Sequence, residues 1–570
     1  MCGIFAVLNN KNLDKNMLEQ EFMKGKSRGP EYSKFQNISQ NISLGFHRLA
    51  INGVEDDFSN QPFFIDGIYL ICNGEIYNYK ELTKILNITP KSKSDCEVII
   101  HLYKKYGIKQ TVQMLDGVFA FVLVDTNKQN IFVARDTYGV RPLFISIFKK
   151  EISISNNEMK YYTSFAFASE MKSLINIGKD VFDEKICQFV PGCVSTFKYD
   201  DENYIEHVEE TSFSSPNSFS TLNNNIKKDV LENIYKKIYQ AVEKRVDNTE
   251  RPIACLLSGG LDSSLIAALV KQIHKGELHT WSIGFEGSED LKCARIVADH
   301  IGSIHHSIQV SEEEFLLAIP EVIHNIESYD TTTVRASVGN WLISKKIKEF
   351  SNAKVIFNGD GADEVMGGYL YFHEAPDSIS FDKECRKLLT DIHYFDVLRS
   401  DRSISSHGLE ARTPFLDREF VQYYLSISYK LRDHSYNKSA EKYLIREAIE
   451  KHNPTLLPEE VLFRTKEAFS DGVSKQTKSW YEIIQDFVKE EVFSHLGYDE
   501  EYIIKNMNPY IYNRPKTLEQ LYYRDIFSNL FPKIGVEKII PYFWMPNFVK
   551  NATDASARTL GVYTQKKSCV

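Results

Sequence analysis

The stretch Ile253-Ala254-Cys255-Leu256-Leu257-Ser258-Gly259-Gly260-Leu261-Asp262-Ser263-Ser264 decides how the larger part of this chain folds. Five apolar residues run into a Gly-Gly turn, and a helical pattern from Ser263 to Ile273 begins where the turn ends. That is the order of strand, turn and helix start that a phosphate site needs. Two glycines let the backbone approach an anion, Ser258, Ser263 and the first amides of the helix donate to it, and Asp262 can hold a magnesium ion. The GK[ST] ending of a Walker loop is absent. Outward from this stretch, apolar runs at His279 to Phe285 and Lys354 to Asn358 alternate with helical patterns at Asp290 to Ile301 and Ala336 to Phe350. The alternation predicts an α/β parallel sheet covered by helices, with a ligand crevice at the carboxyl ends of its strands. The last run ends in Gly359-Asp360-Gly361-Ala362-Asp363-Glu364. In isolation this is an acidic surface turn. At the end of a strand in the same sheet it becomes a second wall for magnesium and pyrophosphate, with Asp262 and Asp363 as the metal pair.

Upstream the grammar differs. Short β-rich segments at Ser43 to Leu49, Ile68 to Cys72, Val118 to Asp125, Asn130 to Arg135 and Phe144 to Ile147 are divided by Gly, Asn and Asp turns. Helical periodicity is mostly confined to Tyr79 to Leu86 and Asp95 to Tyr106, which predicts an α+β unit whose sheets face one another. From Glu209 to Asn225 the composition turns to Ser, Asn and Thr. The expected organisation is therefore a first domain at 2–208, a linker at 209–225, a second domain at 226–545 and a C-terminal tail at 546–570. A chain of 570 residues with 43% hydrophobic and 25% charged residues suits such a multidomain globular protein. Its longest apolar runs are too short to cross a bilayer and no basic segment precedes the apolar start, so a soluble cytoplasmic protein is expected. A net charge of −9 with no basic field excludes a nucleic-acid partner from the expectation. Nine cysteines without a CxxC pair or zinc spacing fit free thiols in a reducing compartment.

A second chemistry starts at Cys2. A small residue at position two permits removal of the initiator methionine, which leaves a thiol and an α-amine on one residue, a nucleophile with its own base. Taken alone, position two is a small residue entering a strand. Arg48 among apolar neighbours, Asn73-Gly74-Glu75 after an apolar strand, and Asp95 before a helix change that. An amide hydrolase acting on a free amino acid needs a guanidinium for the α-carboxylate, carboxylates for the α-ammonium and donors for the oxyanion. The set, with the opening Met1-Cys2-Gly3-Ile4-Phe5-Ala6, resembles the class II glutamine amidotransferase domain of the N-terminal nucleophile superfamily, an αββα-type fold. The resemblance implies that Cys2 is the nucleophile, that the Asn73 side chain and the Gly74 amide form the oxyanion hole, and that Arg48, Leu49, Ala50, Ile51, Asn52, Glu75 and Asp95 bind glutamine. Asn52 stands where that family usually has an apolar residue.

The Ser258 to Ser264 loop resembles that of ATP pyrophosphatases, of the adenine nucleotide alpha hydrolase-like fold. With Glu327 to Ser337, Glu364 to Tyr369, Gly408 to Asp417 and Lys466 to Gly472, nearly the whole chain resembles the glutamine-hydrolysing asparagine synthetases. That resemblance implies ATP with Mg2+, the substrates glutamine and aspartate, a β-aspartyl adenylate attacked by ammonia, an enclosed passage between the domains, and a homodimer. It implies that Leu257, Ile283, Asn358 and Gly359 join Ser258, Gly259, Gly260, Asp262 and Ser263 around ATP. Lys466 would neutralise pyrophosphate, and Thr332 and Arg335 would help bind aspartate or the nucleotide. Asp360 replaces the family's glutamate, which helps deprotonate ammonia. The alternatives are another glutamine amidotransferase, against which the adenylating loop argues, and a non-catalytic relative of the same fold.

Overall fold

The computed structural model describes residues 1–154, 158–178, 184–200, 204–215, 226–466, 472–473, 478–549 and 554–556. The strand Gly3–Leu8 is buried at every position, because both of its faces are covered. Ile4, Ala6 and Leu8 point into a core shared with Ala120, Val122 and Val124 of the facing sheet. Phe5 and Val7 point the other way, onto Leu18 and Phe22 of the helix Lys15–Met23. Two-sided burial is why these strands read as continuous apolar runs rather than alternating ones.

Two six-stranded antiparallel sheets build the first domain. One runs Glu184–Gln188, Phe144–Ile154, Glu158–Ala168, Gly3–Leu8, Ile42–Arg48, Tyr32–Asn37. The other runs Ile205–Ser212, Cys193–Tyr199, Asn130–Arg135, Gly117–Asp125, Ile68–Ile76, Phe63–Ile65. The helices Tyr79–Leu86 and Val98–Met114 cover the outer face of the second sheet, with Leu82, Ile99 and Leu102 against Leu70, Phe121 and Leu123. This is the expected αββα arrangement.

Three boundaries differ from the sequence reading. The strand from Ile68 runs on to Ile76, so Asn73-Gly74-Glu75 lie inside it, paired with Ala120, Phe119 and Val118; buried polar site residues hid the strand from an apolar pattern. The helix read as ending at Tyr106 resumes beyond Gly107, whose φ of 74° kinks it, and Ile108 and Val112 are buried again. The proposed linker begins too early, since Glu209 to Ser212 complete the edge strand Ile205–Ser212, bonded to Cys193–Tyr199. Its glutamates face solvent, as polar edge strands do, and so mimic linker composition. Residues 216–225 lie outside the described residues.

The second domain carries a five-stranded parallel sheet in the order Ile304–Gln309, His279–Gly284, Ile253–Leu256, Val355–Phe357, Glu410–Arg412. Helices Lys227–Val246, Leu261–Ile273, Glu289–Ile301 and Thr331–Phe350 contribute to the apolar cores that enclose it. From Ile253–Leu256 the chain builds outward through two strands, then returns to place Val355–Phe357 on the other side. That reversal opens a crevice beyond the carboxyl ends of these two strands. The edge strand Glu410–Arg412 lies against the first domain, and the seam between the domains is ionic. Arg28 Nη1 meets Asp401 Oδ1 at 2.7 Å, Arg402 Nη1 meets Glu170 Oε1 at 3.3 Å and, within the second domain, its Nη2 meets Glu327 Oε2 at 2.9 Å, and Arg141 Nη2 lies 3.5 Å from Glu410 Oε2. Glu327 also accepts the Met171 and Lys172 amides at 2.8 Å each. Among the described residues no helix is long and apolar enough to cross a membrane.

Candidate active sites

Cys2 stands at the head of the strand Gly3–Leu8, half-buried, its thiol donating to Leu49 O at 3.7 Å. Burial pushes the thiol up to about 11, and the N-terminal ammonium offsets only part of that. With Met1 present the nitrogen of Cys2 is an amide and cannot act as a base. Met1 is itself buried: its amine donates to Leu409 O at 3.5 Å, its sulfur accepts from Arg28 and Arg141, and burial lowers the amine to about 6. Met1 thus fills a slot between Cys2 and the edge strand of the second domain.

Asn73 is fully buried, with Oδ1 lacking a partner and Nδ2 donating to Ser169 Oγ at 3.5 Å. Ser169 Oγ in turn accepts the Ile4 amide at 3.0 Å. Ser169, which has no motif to mark it, therefore fixes Asn73 beside the Cys2 strand. Arg48 is held by the loop it precedes: Nη1 donates to Asn60 Oδ1 at 2.8 Å, and Nη2 to Asn52 O at 3.1 Å and Gly53 O at 2.5 Å. In this state it braces Leu49 to Gly53 rather than offering an open fork. In the same loop the Ala50 amide donates to Glu31 Oε2 at 2.6 Å, and Ile51 O accepts the Glu250 amide of the second domain at 3.0 Å. Asp95 caps the end of the Asn73 strand, accepting the Ile76 amide at 2.6 Å; burial raises its carboxyl to about 6. Glu75 is raised well above the usual range by burial, then by Asp95 and Glu410. Two buried acids side by side share protons more readily than either would alone.

The second site lies in the crevice. Its wall includes Leu257, Ser258, Gly260, Asp262, Ser263, Ile283, Thr332, Arg335, Asn358, Gly359, Asp360, Asp363 and Lys466; Gly259 shapes the turn beneath them with a φ of 72°. The two loops are pressed together, since a Cβ on Gly359 would sit 2.8 Å from the Asp262 carbonyl carbon and the Ser263 amide nitrogen. Only glycine fits that approach. Of the stretch Lys466 to Gly472, residues 467–471 lie outside the described residues.

A residue missed in the sequence organises the acids. Lys442 Nζ lies 2.5 Å from Asp262 Oδ2 and 2.6 Å from Asp363 Oδ1, and Lys466 Nζ lies 2.7 Å from Asp363 Oδ2. Burial works to raise Asp363, but the two ammoniums prevail and hold it at about 2. Lys442 is buried at a left-handed backbone position, φ 58°, and nothing in its flanking sequence marks it as a ligand. Asp262 Oδ1 is buried with no hydrogen-bond partner. Two hard carboxylates with a free oxygen suit Mg2+ arriving with phosphates, which needs few protein ligands.

Asp360 reaches the same crevice. Its Oδ1 accepts from Arg399 Nη2 at 2.9 Å, Arg399 also grips Asp396 Oδ1 at 2.9 Å, and Asp360 Oδ2 is buried without a partner. Thr332 Oγ1 is likewise unpartnered. Arg335 is different: its guanidinium is committed to Glu519 Oε1 at 2.8 Å and to both oxygens of Asp554 at 2.7 and 2.8 Å. The expectation that it grips aspartate is corrected by this saturation, because two carboxylates already occupy the fork. Ala555 and Ser556 line the crevice as well, so part of the expected tail belongs to the site.

An N-terminal thiol in an αββα domain, joined to a Gly-Gly phosphate loop in a parallel α/β domain, defines a glutamine amidotransferase coupled to an ATP-pyrophosphatase-type synthetase. Residues 1–212 match the glutamine amidotransferase domain family, and residues 233–383 and 374–535 match the asparagine synthase family. The chain is 41% identical to asparagine synthetase [glutamine-hydrolyzing] of Gallus gallus and 40% identical to that of Homo sapiens, covering 99% of itself and of each relative. It belongs to the glutamine-hydrolysing asparagine synthetases.

Proposed function

We propose that this enzyme releases ammonia from glutamine at Cys2 and transfers it to an aspartate activated by ATP in the crevice of the second domain, yielding asparagine, glutamate, AMP and pyrophosphate. The observation that carries this is the slot of Met1, which joins the Cys2 thiol to the edge strand of the synthetase sheet. Excision of Met1 frees the α-amine of Cys2 as base and empties the slot, the first segment of an enclosed route for ammonia. Enclosure matters because bulk water would protonate and dilute it. Cys2 attacks the amide of glutamine, the Asn73 side chain and the Gly74 amide steady the oxyanion, and water hydrolyses the thioester. Glu75 and Asp95 hold the α-ammonium, while Arg48 takes the α-carboxylate by exchanging a loop contact.

In the crevice, Ser258, Ser263 and the start of the helix Leu261–Ile273 receive phosphate oxygens, and Lys442 and Lys466 neutralise the departing pyrophosphate. Asp262 and Asp363 would hold Mg2+, which would supply charge neutralisation on the phosphates. Thr332 orients aspartate, and Arg335 serves instead to anchor Asp554. Family resemblance further supports a homodimer working in the cytoplasm; sedimentation at twice the 65.8 kDa chain mass is the expected result.

Amide-labelled glutamine, aspartate and MgATP should yield labelled asparagine with AMP and pyrophosphate. Labelled ammonia without labelled asparagine would sink the coupled reaction. The raised Asp95 carboxyl adds a pH signature. Its ionised form binds the α-ammonium, so glutamine kcat/KM should fall as pH drops through about 6. A profile flat from pH 5 to 8 would exclude a titrating carboxylate from glutamine binding.

A further inference from the structure

We propose that Asn248, a residue of the second domain, works with Asn52 to position Glu75, so that the glutamine pocket is completed only by the docked synthetase domain. The proposal rests on the reading that Glu75 receives the α-ammonium of glutamine. Glu75 is 4% exposed, yet its Oε2 accepts from Asn248 Nδ2 at 3.0 Å and from Asn52 Nδ2 at 3.3 Å, with Arg412 Nη2 also 3.3 Å away. Among the described residues all of these contacts fall on Oε2, which leaves Oε1 for a substrate ammonium.

Asn248 lies between the helix Lys227–Val246 and the strand Ile253–Leu256 and is 3% exposed. Its own carbonyl accepts from Arg412 Nη2 at 2.8 Å, and Arg412 Nε is tied to Glu410 Oε1 at 2.9 Å. The amide that reaches Glu75 is thus held by the strand at the domain seam. Asn52 makes the link from the other side. Its backbone carbonyl accepts from Arg48 Nη2 at 3.1 Å while its side chain donates to Glu75 and, at 3.5 Å, to Asn248 Oδ1. One residue therefore touches both the guanidinium proposed for the α-carboxylate and the acid proposed for the α-ammonium.

The choice of amides has a physical reason. Burial works against the charge of Glu75, and Arg412 offsets part of that. The two amides add donors to the ionised form without adding a further cation to compete with the substrate. They orient Glu75 toward the ammonium, which an apolar side chain at position 52 cannot do. Asn248 and Asn52 are positioning residues, acting through Glu75.

The test uses the full chain, with glutamate release and asparagine synthesis from glutamine and from added ammonia measured in parallel. Asn248→Ala should raise the glutamine KM about 10-fold with little change in kcat, the loss of one hydrogen bond to a charged group. Synthesis from ammonia should be unchanged, which reports an intact second domain. Asn248→Asp, placing a second carboxylate beside Glu75, should raise KM further. If Asn248→Ala costs the fold, Asn52→Val reads the same carboxylate from the first domain and should raise KM in the same way. An unchanged glutamine KM in the variants that fold overturns the proposal. Glu75→Gln separates the two layers: if it too leaves KM unchanged, the assignment of Glu75 itself falls, whereas a raised KM there alone removes only the role of the asparagines.

Discussion

A Cys2→Ala enzyme should lose glutamine-dependent asparagine synthesis by about 10^4-fold or more, the scale of removing a nucleophile that acts as a unit with its base. Synthesis from ammonia should persist. The reason lies in what surrounds the thiol. Burial holds it neutral, near 11, while Met1 is attached. Among the described residues the thiol's hydrogen-bond partner is the Leu49 carbonyl rather than a base, so its activation falls to an amine that appears only when Met1 leaves. A variant in which Met1 is retained should therefore match Cys2→Ala although its thiol is intact, a comparison that separates nucleophile from base. The crevice shares no wall residue with Cys2, so aspartate activation and ammonia use should proceed. Loss of both activities in a folded Cys2→Ala protein would contradict two separate sites, and survival of glutamine use would remove Cys2 from the chemistry.

Local chemistry was legible in the sequence where one short segment holds the whole device. The loop Ser258 to Ser264 announces itself because strand, turn and helix start must be consecutive, and Asn73-Gly74-Glu75 because three polar or glycine residues follow directly on an apolar strand pattern. What stayed hidden is what distant segments bring together. Lys442 sits at the start of an otherwise ordinary helix, yet it joins Asp262, 180 residues away, to Asp363. Asp554 on Arg335 crosses 219 residues and turns an expected substrate ligand into an anchor. Ser169 and Asn248 carry no motif at all. Composition also misread the strand ending at Ser212, where exposed glutamates on a sheet edge resemble a linker.

The ionic seam explains why these hidden contacts matter together. Arg28, Arg141, Arg402 and Arg412 are each almost completely buried, and each meets a carboxylate from across the domain boundary. Breaking one partner of such a pair leaves a charge buried and unpaired, at about 3–5 kcal/mol. Geometry at Cys2 and in the crevice is consequently set by the docked pair of domains. The same seam lines the Met1 slot, so the proposed ammonia route and the domain contact draw on one set of residues.

Replacing Asp360 by asparagine should lower asparagine synthesis by about 10^2- to 10^3-fold whether nitrogen comes from glutamine or from ammonia, the range of a lost general base. Glutamine hydrolysis should be spared, and ATP and aspartate should still give pyrophosphate and the bound β-aspartyl adenylate, with AMP released only as slowly as that adenylate is attacked. Asparagine keeps the volume and the acceptor that Arg399 holds at 2.9 Å, so the loop is preserved while basicity is lost. The oxygen that matters is Oδ2, buried in the crevice without a partner and therefore free to take a proton from the attacking nitrogen. Gly359, wedged against Asp262 and Ser263, fixes the backbone from which Asp360 projects. Asp360→Glu should accordingly fall below the native enzyme, since about 1 Å of displacement is enough to cost a catalytic group 10^2-fold. Full turnover in Asp360→Asn would remove this carboxylate from the amide-forming step and leave Arg399 and Asp396 as a structural pair.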